Sequence, residues 1–181
     1  MSILKDNKIL SAAEKKIEDN LLPDVRADYM KIVVSGMKVG LKDGESGILA
    51  SIKNSKDPIN DCAVGAVNLV LMLRKASRGT MPEKAMVPAS MTLMLKALEF
   101  ANKAGLIKVG ADELNKATRI WANHILKTSG VTPQILTKIG SKVQSVVNDP
   151  IAMNEIALRA GTAKYTKGSA PSGIVAENKN K

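Results

Sequence analysis

The sequence predicts an all-α protein, and three observations lead to this prediction. Aromatic residues make up 2% of the 181 residues, whereas β-sandwiches and barrels usually draw more heavily on aromatic and β-branched side chains. Apolar residues amount to 45%, which is a normal level for a globular chain. Apolar positions recur at steps of three and four residues, the period of an amphipathic helix. We therefore expect a bundle of about six to seven helices, whose core consists of Leu, Ile, Val, Ala and Met.

The first part of the chain predicts two helices and a short third one. Residues 8–19 are amphipathic, and Pro23 is well suited to open the next helix, which runs to about Val39. Gly40 and the turn-forming sequence Lys42-Asp43-Gly44 end this helix, and residues 45–53 predict one more short helix. The apolar positions of the second helix share one face: Val25, Tyr29, Ile32, Val33 and Met37.

Two long apolar segments, residues 58–75 and 82–104, predict a helical hairpin at the centre of the bundle. Asp57-Pro58 is a helix-start signature, and the first segment is apolar around most of its circumference. In the second segment the helix either begins near Pro88 or kinks there. Such segments are most typical of a core, and the alternative is an interface with partner subunits or a membrane. The candidate interface residues are Val64, Leu69, Leu71, Met72, Met86, Met91 and Met94.

Residues from about 110 to 127 predict a helix with two different faces. Leu114, Ala117, Trp121 and Ile125 fall on one face, and Lys116, Arg119, Asn123 and Lys127 fall on the other. Thr132-Pro133 opens a further helix, and residues 150–160 predict a last short one. We expect a single helical domain over residues 1–161. A flexible basic tail, rich in Lys, Gly and Ser, is expected over residues 162–181.

The segment from Trp121 to Val146 resembles a DNA-binding helix-turn-helix. Gly130-Val131-Thr132 is a suitable turn, but Leu126 stands where the motif usually needs a small residue. Ordinary helix packing explains the same pattern. The candidate nucleic-acid contacts are Lys116, Arg119, Gln134, Lys138 and Lys142.

The net charge of +10 favours an acidic partner, such as nucleic acid or an anionic membrane surface. A solvated, Lys-rich surface explains it equally well, because the lysines are spread along the chain. The longest uncharged stretch, Cys62 to Leu73, would reach roughly 18 Å as a helix, short of the roughly 30 Å hydrocarbon core of a bilayer. This excludes a lone spanning helix there, but not insertion as an oligomer or hairpin. The first residues show no secretory signal.

Few residues could carry chemistry. His124 is the only histidine, and it flanks the apolar face of its helix, so we expect a packed structural role. Cys62 is the only cysteine; it is expected to be buried and cannot form an intrachain disulfide. One Cys and one His give no metal-ligand spacing. We therefore expect a protein that is not an enzyme and has no cofactor or metal.

Several short motifs between Ile32 and about Pro133 resemble one family. They are Ile32-Val33-Val34-Ser35-Gly36-Met37-Lys38, Gly79-Thr80-Met81-Pro82, Val87-Pro88-Ala89, the helix through Met91, Leu95 and Leu98, and Gly130-Val131-Thr132-Pro133. On these residues, roughly half of the chain is similar to the small internal or ejection-type virion proteins of short-tailed bacteriophages. The motifs are turns, caps and core positions, so they carry no catalytic residue.

The resemblance implies a virion protein that is made in the host cytoplasm, packaged in the capsid or near the portal, and delivered into the host cell envelope. It would form a homo-oligomer, contact other virion proteins and help to build a conduit for DNA. Non-specific DNA contact and membrane contact as an oligomer belong to the same expectation. Two alternatives stay open: a head-to-tail adaptor ring and a helix-turn-helix DNA-binding protein.

Overall fold

The computed structural model describes residues 7–40 and 48–129. These residues form six α-helices and no strand, which confirms the predicted all-α fold over this part of the chain. The predicted helices after Gly130 and the predicted tail lie outside the described residues. The helices are α1 (Lys8–Asp19), α2 (Pro23–Gly40), α3 (Ile48–Lys53), α4 (Pro58–Ala76), α5 (Glu83–Lys103) and α6 (Ala111–Ser129).

The helix at the centre of the bundle is α5. Every residue from Ala85 to Glu99 is buried, and each of the other five helices contacts α5. The predicted hairpin of α4 and α5 is present, but its two helices are not equally enclosed. Asn68 and Met72 of α4 are exposed, so α4 has an outer face. The enclosure of α5 explains why it is apolar around most of its circumference.

The helix starts follow the predicted signals. Asp57 caps α4, with its Oδ1 atom accepting a hydrogen bond from the amide of Asn60, and a proline follows at the first helical position. Pro23 likewise opens α2. In α5 the helix begins at Glu83 and continues through Pro88, which excludes the predicted alternative that it begins near Pro88. Because Pro88 lies near the start, its missing N–H removes one helical hydrogen bond early in α5.

A close approach between two helices involves Gly36 of α2 and Leu93 of α5. A Cβ atom built at Gly36 would lie 2.5 Å from Leu93 Cδ1, a distance that Cβ atoms in proteins essentially never show. The missing side chain therefore lets α2 pack tightly against the central helix.

The turn between α4 and α5 has a residue in the left-handed conformation that is not glycine. Arg78 has a φ of 55°, and the following Gly79 has a φ of 79°. The amide of Gly79 donates to the carbonyl of Arg74, and the amide of Arg78 donates to that of Lys75. These two bonds are those of the Schellman motif, in which glycine usually occupies the position that Arg78 has here.

Candidate nucleic-acid interface

The two faces of α6 are those that the sequence predicts. The exposed residues include Lys116, Arg119, Asn123 and Lys127. The buried apolar residues are Leu114, Ala117, Trp121 and Ile125, each at most 1% exposed. This confirms the amphipathic prediction and places two lysines and an arginine on the solvent side.

A hydrogen bond inside the core fixes how α6 is rotated. Trp121 Nε1 donates to Ser90 Oγ of α5 at 3.0 Å, and Ser90 Oγ donates to the carbonyl of Val87 at 2.9 Å. The indole is fully buried, so its N–H needs such a partner. The outward face of α6 is thereby held in one orientation relative to the central helix.

Two polar contacts show that α4 and α6 run side by side in the same direction. Near the start of α6, Lys116 Nζ lies 2.9 Å from Asp57 Oδ2, at the N-cap of α4. Two turns later, His124 Nε2 lies 2.9 Å from Asn68 Oδ1. Residue numbers increase together along both helices, so the pair is parallel. His124 therefore contacts a neighbouring helix, in the structural role that the sequence predicts.

Charge is unevenly distributed along this parallel pair. The first turns carry Asp61 in α4 and both Asp112 and Glu113 in α6. The last turns carry Lys75 and Lys127, together with Arg74 in α4. These charges stabilise both helices, because acidic groups lie at the positive end of each helix dipole and basic groups at the negative end. The pair thus has an acidic end and a basic end.

Lys116 lies at the acidic end, where its charge is paired. Its ammonium group donates to both carboxylate oxygens of Asp57, at 2.9 and 3.2 Å. This hydrogen bond is the main reason why the pKa of Asp57 lies below its usual range, and the amide of Asn60 adds to the effect. Lys116 is therefore engaged with its own chain.

The predicted nucleic-acid contacts are only partly covered by the structure. Lys116 and Arg119 are exposed on α6, but Lys116 is paired with Asp57. The other three predicted contacts, Gln134, Lys138 and Lys142, lie outside the described residues, as does the second helix of the helix-turn-helix prediction.

The candidate interface residues of the hairpin do not form one surface. Met86, Met91 and Met94 of α5 are at most 1% exposed, and Leu69 of α4 is also buried. All four belong to the core: the three methionines because the other five helices contact α5, and Leu69 because it lies on the buried side of α4. Val64 and Leu71 are half-buried, and Met72 is 49% exposed. In this conformation the predicted interface is therefore reduced mainly to Met72.

Sequence reasoning missed a polar seam between α5 and the first two helices. Lys96 Nζ lies 2.6 Å from Glu14 Oε1 of α1, and both side chains are less than a tenth exposed. Tyr29 of α2 shares a 2.9 Å hydrogen bond with Thr92, and burial raises the pKa of Tyr29 to about 12. Glu99 follows on α5 and pairs with Lys103.

The signal for this seam was present in the sequence. Lys96 and Glu99 are the only charged residues between Ala85 and Ala101, in a segment that is otherwise apolar or neutral. Because buried charges are normally paired, two charges in such a segment indicate a polar partner on one side of the helix.

The described part of the chain holds no group of three or more His, Cys, Asp or Glu side chains placed to bind a metal ion. None of the six helices has both the length and the apolar character needed to cross a membrane. Comparison with protein-family models, curated proteins and solved structures finds no match to this chain.

Proposed function

We propose that this chain is a non-enzymatic structural component of a bacteriophage particle. It belongs to the internal or ejection type, lies against DNA and self-associates. The observation that carries the proposal is an apolar central helix, α5, enclosed by the other five helices in a chain of net charge +10. A basic exterior suits close contact with packaged DNA, since phosphate neutralisation by Lys and Arg requires no specific sequence. The motif resemblance between Ile32 and Pro133 supports the same role.

The enclosure of α5 gives this proposal a conformational requirement. Met86, Met91 and Met94 are interior in the closed bundle, so a conduit that used them would need its covering helices to move. The polar seam with α1 is one boundary across which α5 could become uncovered, because buried ion pairs add little net stability. In the closed form, self-association uses other surfaces, of which Met72 is one exposed apolar element.

The proposed self-association is tested by measuring the native mass at increasing protein concentration, with light scattering on a sizing column. The monomer has a mass of 19.3 kDa. A closed ring or a large defined oligomer supports a conduit or an adaptor, and dye release from liposomes then separates the two, because an adaptor causes none. A chain that stays monomeric at high concentration and is absent from purified particles contradicts the proposal.

A further inference from the structure

The geometry of the α4–α6 pair brings basic residues from different parts of the chain to one edge. The contact between Asn68 and His124 fixes the middle of that edge. Lys75 follows Asn68 by seven residues, or two helical turns, so it projects from the same side of α4. Lys127 follows His124 by about one turn. Both lysines are exposed and lie at the C-terminal ends of their helices.

Two arginines extend this basic group. Arg119 lies on the outward face of α6, eight residues before Lys127, which corresponds to about 12 Å along the helix axis and about 80° around it. Arg78 lies in the turn that follows α4 and is also exposed. We name these four residues the basic edge: Lys75, Arg78, Arg119 and Lys127.

The charges of the basic edge are available to a partner. None of its four residues forms an ion pair with another described residue. Lys116, by contrast, is engaged by Asp57. Of the other acidic groups on the pair, Asp61 and Asp112 lie in the first turns, with Asp112 about two helical turns before Arg119, and Glu113 accepts a hydrogen bond from the amide of Gly110.

The backbone of Arg78 is a second, independent observation. A left-handed φ is uncommon outside glycine, asparagine and aspartate, and residues held in it occur often at functional sites. The Schellman turn would be relaxed by glycine at this position, but the chain has an arginine there, and its side chain is exposed. The strained position thus carries a group suited to binding an anion.

We propose that the basic edge contacts the phosphate backbone of duplex DNA. This inference rests on the proposed function and deepens it by assigning the contact surface. Guanidinium and ammonium groups bind phosphate oxygens through charge-assisted hydrogen bonds. The roughly 12 Å from Arg119 to Lys127 covers about three to four base steps, at 3.4 Å per step along a strand. The contact carries no base specificity, because it reaches only the backbone.

The test is the binding of the full chain to a labelled DNA duplex of arbitrary sequence, measured at several salt concentrations. One variant combines Lys75→Gln, Arg119→Gln and Lys127→Gln. The matched control combines Lys15→Gln, Lys16→Gln and Lys38→Gln, three exposed lysines of α1 and α2 that lose the same total charge. Arg78→Gly forms a separate variant, because it removes the guanidinium and relaxes the turn at the same time.

The basic-edge variant is expected to bind at least about tenfold more weakly at moderate salt. Its slope of log affinity against log salt should be smaller by about two to three, since each phosphate contact contributes about 0.9. The control should change the slope by less than one, and Arg78→Gly should weaken binding although its fold is retained.

The outcomes separate this inference from the proposed function. Equal losses in the basic-edge and control variants overturn the assigned surface, while the DNA contact itself stands. A parent chain that does not bind duplex at low salt overturns the DNA contact of the proposed function as well. Binding to phosphatidylserine vesicles but not to DNA, with the same loss in the basic-edge variant, overturns the choice of partner.

Discussion

The indole N–H of Trp121 donates a 3.0 Å hydrogen bond to the hydroxyl of Ser90, thirty-one residues earlier in the chain. Both side chains are fully buried, so the bond links the outer helix α6 to the central helix α5 without any contribution from water. The orientation of the charged face of α6 therefore depends on a polar contact within the core.

Ser90→Ala should destabilise the bundle by about 1–3 kcal/mol, because it leaves the buried indole N–H without its acceptor. Urea denaturation, followed by the fluorescence of the single tryptophan, measures the effect. Thr128→Ala is a suitable control, since that hydroxyl is exposed and bonds within its own helix. Equal stability of the Ser90 variant and its parent would show that the hydrogen bond does not hold α6 in place.

The ion pair between Glu14 and Lys96 provides a second prediction. Lys96→Met should cost about 3–5 kcal/mol of unfolding free energy, because it leaves the Glu14 carboxylate buried without its cation. The double variant Glu14→Leu with Lys96→Met removes both charges and should recover most of this loss. The same denaturation experiment compares them. A double variant as unstable as the single one would mean that the two charges are not coupled.

The raised pKa of the buried Tyr29 side chain leads us to expect a loss of folding stability at alkaline pH. Burial raises the pKa of its phenol to about 12, whereas the unfolded chain has a value near 10. The folded protein thus keeps this proton at a pH where the unfolded chain loses it. The stabilisation is complete below pH 10 and decreases as the pH rises from about 10 to 12.

Tyr29→Phe should therefore lose less stability than the parent over this pH range. Burial also raises the pKa of Cys62 to about 12, but that thiol is present in both proteins and cancels in the comparison. Thermal unfolding at several pH values measures the difference. Parallel stability curves for the two proteins would contradict the assignment to Tyr29.

Arg78→Gly should stabilise the fold by about 0.5–1 kcal/mol. Glycine relieves the left-handed backbone of the turn, and its greater freedom in the unfolded chain offsets part of that gain. Chemical denaturation measures the change, and Lys84→Gly is a control within the helix that follows, where glycine should destabilise. A loss of stability in Arg78→Gly would mean that the arginine side chain contributes to the fold itself.

Much of the fold is predictable from local signals in the sequence. Asp57-Pro58 marks the start of α4 because capping and the fixed φ of proline act within a few residues. The two faces of α6 follow from the helical period in the same way. The enclosure of α5 is not a local property. It depends on where five other helices lie, so the sequence alone leaves both a core and an interface position open for apolar residues such as Met91.

The candidate site is less predictable because its contacts are long-range. Lys116 and Asp57 are 59 positions apart, and no sequence period indicates that they pair. The same holds for Asn68 and His124, and only the two contacts together show that α4 and α6 are parallel. The sequence predicted cations on α6, but their partners depend on the tertiary structure.

The most direct test of the proposed function is the amount of this chain in purified phage particles, measured by quantitative mass spectrometry before and after DNA release. The proposal predicts several copies in full particles and a large loss from particles that have released their DNA. Absence of the chain from full particles would contradict a role in the virion. Full retention after DNA release would contradict the ejection role and favour a fixed adaptor.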